Sequence, residues 1–209
     1  MWIAAALLLI AYLLGSFSGS LTLGRLRGVD IRTLGSGNAG GTNALRTQGW
    51  AFALGTALID VGKGALAAGL ALRFSPPAFL WLPYAAILAA VAGHVWPLWH
   101  GFRGGKGAAT LIGGMLVLWP LAVAVLIGVW LLVLSISGYV GLATILAVGS
   151  LPVLALLSKS NSLRIQFALF AALCILYTHR SNVLRLRAGT ESRFEKARVW
   201  RRLFARKSA

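Results

Sequence analysis

The sequence predicts an all-α, polytopic membrane helix bundle with seven spans, some of them short, the N-terminus outside and the C-terminus cytoplasmic. Three observations predict it. Of the 209 residues, 58% are hydrophobic and only 11% are charged, against roughly 25% charged in a soluble domain. Long apolar runs, such as 2–15 and 118–135, suit helices surrounded by lipid or protein, because a helix satisfies its own backbone hydrogen bonds. The formal net charge is +16, from 20 Lys and Arg against 4 Asp and Glu, and the basic residues cluster between and after the apolar runs. That clustering argues for loops held against an anionic membrane surface and against nucleic acid as a partner. Residues 1–209 read as a single integral-membrane domain with a basic cytoplasmic tail from about 188.

The first span takes residues 2–23. No basic segment precedes it and no small-residue cleavage pattern follows, so it reads as a retained span. Gly15, Ser16, Gly19 and Ser20 give it a small-residue face for close helix contact. Residues 24–49, GRLRGVDIRTLGSGNAGGTNALRTQG, are too rich in glycine and charge for a lipid-facing helix. The second span, Trp50 to Leu72, carries Asp60 and Lys63 three residues apart on one face, as a bundle ion pair or as a wall of the site. Arg73 and the Ser75, Pro76, Pro77 turn end it. The third, Leu80 to Trp99, includes His94 and Pro97 and opens into GFRGGKGAAT at 101–110. Trp96, Trp99 and His100 suit the interface there. Residues 108–134 form either one tilted helix or two short spans broken near Trp119 and Pro120. Later spans lie near Gly141 to Leu157 and Leu163 to Tyr177.

The break near Trp119 decides the topology. One long helix gives six spans and puts 179–187 opposite 24–49. A broken one gives seven and brings 24–49, 101–107, 136–143 and the C-terminal tail to one side. That side collects Arg25, Arg27, Arg32, Arg46, Arg103, Lys106, Arg180, Arg185 and Arg187, while the other keeps Arg73, Lys159 and Arg164. By the positive-inside rule the common side is the cytoplasm.

Three polar segments carry the candidate chemistry. In GSGNAGGTN at 35–43, glycines expose successive backbone N–H groups, Ser36, Asn38, Thr42 and Asn43 add side-chain partners, and Arg46 supplies a forked cation; together these suit a phosphate. The alternative is a glycine-rich turn between helices. In GGKG at 104–107, Gly104, Gly105 and Gly107 let an anion approach the backbone and Lys106 adds a point charge. It is not a Walker A loop, which needs a four-residue gap before GK and then Ser or Thr. At 178–191, His179 and Asn182 lie three residues apart near a helix end, with Arg185 a turn further on; Arg187 and the tail read as a basic membrane-surface segment. The single cysteine, Cys174, permits no intrachain disulfide. His94, His100 and His179 share no compact ligand spacing, so no metal site is expected.

Taken together, DIR-x-x-GSGN-x-G-x-TN-x-x-R at 30–46, GH-x-x-P and GGKG at 93–107, and H-x-x-N-x-x-R-x-x-x-G-x-E at 179–191 resemble the signature of the bacterial acyl-phosphate:glycerol-3-phosphate acyltransferase family, PlsY. The resemblance covers nearly the whole chain. It implies seven helices in the bacterial cytoplasmic (inner) membrane with the active site facing the cytoplasm. It also implies acyl transfer from acyl phosphate to the sn-1 hydroxyl of glycerol 3-phosphate, giving lysophosphatidate and inorganic phosphate in phospholipid synthesis. No cofactor, metal or obligate protein partner is implied; the partners are the two substrates and membrane lipid. By motif matching, His179, Asn182, Ser36 and Lys106 take catalytic positions, and Ser36, Arg46, Lys106, Thr144 and Asn182 phosphate-contact positions. Gly35, Gly37, Asn38, Thr42, Asn43, Gly104, Gly105, Gly107, Arg185 and Glu191 support them. The family commonly has serines where this chain has Gly141 and Thr144; Thr144 keeps a hydroxyl, Gly141 does not.

Acyl phosphate is already activated, and no Ser, His and Asp triad stands out, so direct attack by the acceptor hydroxyl is expected. His179 is either the base or the group that orients a phosphate which takes the proton. A transporter for a phosphate-bearing metabolite and a noncatalytic lipid-binding scaffold are the competing readings.

Overall fold

The computed structural model describes residues 1–198; the end of the predicted basic tail, 199–209, lies outside the described residues. Helices make up the regular structure among them, and the contacts fall into two compact units, Met1–Pro120 and a second from Leu121 onward.

The first unit holds α1 (Trp2–Ser16), α2 (Gly19–Leu26), α3 (Gly41–Gln48), α4 (Trp50–Phe74), α5 (Leu82–Val95) and α6 (Ala108–Leu118). The first span, expected over 2–23, is a bent pair of helices. Phe17 leaves the helical region at φ −76°, ψ 92°, and α2 sets off at 48° to α1. The run Gly15, Ser16, Phe17, Ser18, Gly19, Ser20 explains the break, since glycine and serine are weak helix formers. The small-residue face does pack closely: a Cβ on Gly15 would overlap the backbone of Ala90 on α5, and one on Gly64 of α4 would overlap the Thr110 carbonyl on α6. Ala11, Ala67, Ala71, Ala86 and Ala90 complete a core in which α1, α4 and α5 meet through methyl groups. The opposite faces carry exposed Leu54, Leu58, Leu66 and Leu72. Such a surface would be an aggregation patch in water but costs nothing against lipid tails.

The second unit holds α7 (Pro120–Ser137), α8 (Val140–Gly149), α9 (Leu151–Leu157), α10 (Ser162–Thr178) and α11 (Arg180–Arg187). The break expected near Trp119 is present. Trp119 adopts φ −153°, ψ 65°, and α7 begins on Pro120, whose missing N–H is no loss at a first helical position. Residue His179 joins α10 to α11 at a bend of 56°.

Four segments are long and apolar enough to cross a membrane: Trp50–Phe74, Leu82–His100, Pro120–Ser137 and Val140–Leu157. The bent pairs α1 with α2 and α10 with α11 bring the number to as many as six, and the apolar α6 is shorter, at 11 residues. The chain is an integral membrane protein.

Candidate active site

In the first unit, the segment 24–49 is built around two side chains. Asn43, in the first turn of α3 and 2% exposed, accepts from the Ser36 N–H at 2.9 Å and donates to the carbonyls of Ile31 (3.1 Å) and Leu34 (2.9 Å). Its amide therefore uses both donors and its oxygen to fold the 31–36 loop around itself. Asn43 and Arg46 are three residues apart on α3, so the loop bearing Ser36 is anchored to the helical face that carries the Arg46 guanidinium. Ser36 and Arg46 are exposed, Asn38 and Thr42 partly so.

The second side chain is Arg32. It pairs with Asp30 at 2.7 Å and donates to the carbonyls of His100 (2.9 Å) and Arg103 (3.1 Å), stitching this loop to the one that carries GGKG. Hydrogen bonds from Arg32 hold the Asp30 carboxyl down to about 2. A cleft of about 540 Å³ opens beside this staple, lined by Asp30, Arg32, Thr33, His100 and Arg103 and, among the predicted site residues, by Gly37 and Gly104.

The glycines serve differently from the expectation. Their N–H groups are not a row of open donors: Gly37 donates to the Leu34 carbonyl, Gly40 to Asn38, Gly104 to Val95 and Gly105 to His94. Gly37 and Gly40 close tight turns of their own, while Gly104 and Gly105 bond back to the end of α5. What glycine supplies is shape. Gly107 sits at φ +85° just ahead of α6, a conformation costly for any side-chain-bearing residue, and a Cβ on Gly105 would collide with the His94 ring and the Ala39 carbonyl. Lys106 lies between them and is partly exposed.

In the second unit, His179 sits at the α10–α11 bend, 5% exposed. Its Nδ1 lies 2.8 Å from the Ile175 carbonyl. A carbonyl only accepts, so Nδ1 carries a proton, and in the neutral ring Nε2 then holds the lone pair. Asn182 follows on α11. Its amide donates to Glu191 Oε1 at 2.6 Å, and Arg185 Nε donates to Glu191 Oε2 at the same distance. Glu191 thus fixes Asn182 and neutralises Arg185 at once. Gly141 makes room for this arrangement, because a Cβ there would lie 2.5 Å from Asn182 Nδ2. Thr144 donates to the Val140 carbonyl (2.9 Å) and accepts from the Trp130 indole (3.2 Å). Its hydroxyl proton is therefore committed to its own helix.

Sequence reasoning did not assign site-building parts to Asp30 with Arg32, to Trp130, or to Arg193, whose Nε donates to the Tyr139 hydroxyl at 2.6 Å while its guanidinium lies over that ring. The DIR spelling was the available signal for the first.

A family model described as Glycerol-3-phosphate acyltransferase matches residues 5–189. A curated glycerol-3-phosphate acyltransferase of Synechococcus sp. (strain CC9902) is 47% identical over 189 residues, covering 90% of this chain and 93% of its own. One from Clostridioides difficile (strain 630) is 43% identical over 186 residues, covering 87% and 91%. The fold is similar to the crystal structure of PlsY, an integral membrane glycerol 3-phosphate acyltransferase, in its glycerol 3-phosphate form. There the TM-score is 0.86 at 35% identity, over 91% of this chain and 95% of that one. The lysophosphatidic acid form gives 0.83 at 34% identity, over 91% and 94%. With the family model spanning nearly the whole described chain and relatives matched almost end to end, this chain belongs to the glycerol-3-phosphate acyltransferase family, PlsY.

Proposed function

We propose that the chain transfers an acyl group from acyl phosphate to the sn-1 hydroxyl of glycerol 3-phosphate, releasing 1-acylglycerol 3-phosphate and inorganic phosphate. The observation that carries this reading is the state of His179. Its Nδ1 proton goes to the main-chain carbonyl of Ile175, which orients the ring without the charge that a triad carboxylate would lend. An imidazole held this way is suited to receive a hydrogen bond from the attacking hydroxyl. It is poorly suited to drive attack on an unactivated ester, which supports an activated donor such as acyl phosphate.

The step balances without a covalent enzyme intermediate. The acceptor oxygen bonds to the acyl carbon, the bond from that carbon to the phosphate oxygen breaks, and the hydroxyl proton ends on the departing phosphate. Arg46, Lys106 and Ser36 hold phosphate charge and offset the repulsion between two anionic substrates. Asn182, fixed by Glu191, and Thr144 are further phosphate partners in this scheme. Thr144 would serve only by releasing the Val140 carbonyl.

Counting each bent pair as one span and α6 as a short one gives seven crossings, and the charge distribution then supports an outside N-terminus and chemistry at the cytoplasmic face of the inner membrane. The test is transfer of labelled glycerol 3-phosphate into lipid by purified protein, with acyl phosphate and acyl-CoA supplied separately. Product and phosphate release with acyl phosphate alone is expected. Product with acyl-CoA alone overturns the donor assignment. Uptake into sealed vesicles without product would favour a transporter.

A further inference from the structure

Three ionisable side chains that the proposed reaction does not use are buried together inside the first unit. Asp60 and Lys63 on α4 and His94 on α5 are 1%, 6% and 3% exposed. Burying charge is costly, and an apolar trio of similar volume would often be as stable, so an intramembrane cluster calls for a role.

Part of that role is local. Where α1 breaks into α2, the Phe17 carbonyl and the Gly19 N–H lose their helical partners. Lys63 Nζ donates to the Phe17 carbonyl at 2.8 Å, and Asp60 Oδ1 accepts from the Gly19 N–H at 3.0 Å. The two are joined by an ion pair of 2.8 Å. These contacts account for Asp60 and Lys63 but not for His94.

The imidazole faces two ways. Its Nδ1 is 2.7 Å from Lys63 Nζ. A charged Lys63 has three hydrogens and three acceptors in reach, namely the Phe17 carbonyl, Asp60 Oδ1 and His94 Nδ1; with this shorter contact preferred over the 3.4 Å approach of Nδ1 to Asp60 Oδ1, Nδ1 accepts and the neutral ring carries its proton on Nε2. That other edge is turned to the loop: His94 Nε2 and the Ala39 carbonyl both occupy the place where a Gly105 Cβ would go. The Gly105 N–H also donates to the His94 carbonyl, at 3.1 Å. Gly105 is thus laid flat on the ring, one residue before Lys106, and Ala39 belongs to the loop bearing Ser36.

We infer that Asp60, Lys63 and His94 are positioning residues: the ion pair anchored at the α1–α2 break fixes the His94 ring, and the ring sets the height of the GGKG backbone and hence the reach of Lys106 to a substrate phosphate. The inference rests on the reading of Lys106 as a phosphate-holding group.

The test separates positioning from folding by two substitutions at one residue. His94→Asn keeps an oxygen near Nδ1 for Lys63 but removes the edge beneath Gly105. His94→Gln restores a donor near the Nε2 position. Each is measured for thermal stability, for glycerol 3-phosphate binding by calorimetry without donor, and for KM and kcat. The expected result is a rise on the order of tenfold in the Kd and KM of glycerol 3-phosphate for His94→Asn, at nearly unchanged Tm, with His94→Gln recovering most of it. Unchanged Kd and KM in a folded His94→Asn overturns the inference. So does a loss of active fraction that tracks Tm while KM stays constant in both variants. Because the calorimetric readout needs no acyl donor, wild-type protein that fails to use acyl phosphate would sink the donor assignment and leave this result standing.

Discussion

Replacing Glu191 tests whether Asn182 works only when held. In the folded protein the carboxylate receives Asn182 Nδ2 and Arg185 Nε, each at 2.6 Å. A hydrogen bond to a charged partner contributes about 1.5–3 kcal/mol. The Arg185 half is discounted, because that side chain is 35% exposed while Glu191 is 7% exposed, and solvent-screened pairs contribute about 1 kcal/mol or less. Glu191→Ala therefore costs the Asn182 amide about 2 kcal/mol of positional restraint, which corresponds to roughly 30-fold in kcat/KM if Asn182 contacts phosphate in the transition state. Glu191→Gln keeps a carbonyl oxygen for the Asn182 amide and loses only the charge, so its loss is about 1 kcal/mol, or roughly fivefold. The assay is phosphate release from acyl phosphate with glycerol 3-phosphate, beside a melting curve in the same detergent. In an Asn182→Ala background, Glu191→Gln should cost little more, since the partner it orients is gone. A folded Glu191→Ala enzyme with wild-type kcat/KM would refute the reasoning.

Three further outcomes follow from the same geometry. Asn43→Asp turns two donors into acceptors facing the Ile31 and Leu34 carbonyls; loss of about 2–4 kcal/mol of stability and a raised KM for glycerol 3-phosphate should appear in melting curves and initial rates. Gly141→Val puts side-chain atoms where the Asn182 amide lies, so kcat/KM should fall by about tenfold or more, with near-wild-type activity counting against a fixed Asn182. Thr144→Val removes the acceptor of the Trp130 indole and should lower stability by about 1 kcal/mol; a simultaneous rise in the KM of acyl phosphate would show that this hydroxyl also reaches phosphate, and an unchanged KM would confine it to its helix.

What the sequence made legible is what its letters spell locally. The spacing of His179, Asn182 and Arg185, the cation between glycines at Lys106, and the break at Pro120 depend on residues near one another in the chain. The staples were not legible, because their partners are main-chain carbonyls. Arg32 ends on the carbonyls of His100 and Arg103, and Asn43 on those of Ile31 and Leu34. Every residue offers such a carbonyl, so no residue type marks the partner. For the same reason the glycine loops misled: their composition allows open N–H groups, yet Gly37 and Gly40 spend theirs within their turns and Gly104 and Gly105 on carbonyls at the end of α5.

The two bent helices show how this chain turns a backbone problem into chemistry. A carbonyl that loses its helical partner at a break in a membrane helix needs another donor, and a carbonyl at a bend can take an additional one. At the α1–α2 break the donor to Phe17 is Lys63; at the α10–α11 bend a donor to Ile175 is His179 Nδ1. In both cases the donor has a second face. Lys63 also fixes the His94 ring, and His179 keeps the Nε2 lone pair. An apolar side chain at 63 would leave the Phe17 carbonyl without this donor, at about 1–3 kcal/mol, whereas at 179 the Ile175 carbonyl would keep the His179 main-chain N–H and the Thr178 hydroxyl and only the imidazole would be lost. The first break is thus tied to the His94 ring through Lys63, and the second orients the His179 ring. Substitutions that straighten a bend by strengthening the helix should therefore lower activity even as they raise helical propensity.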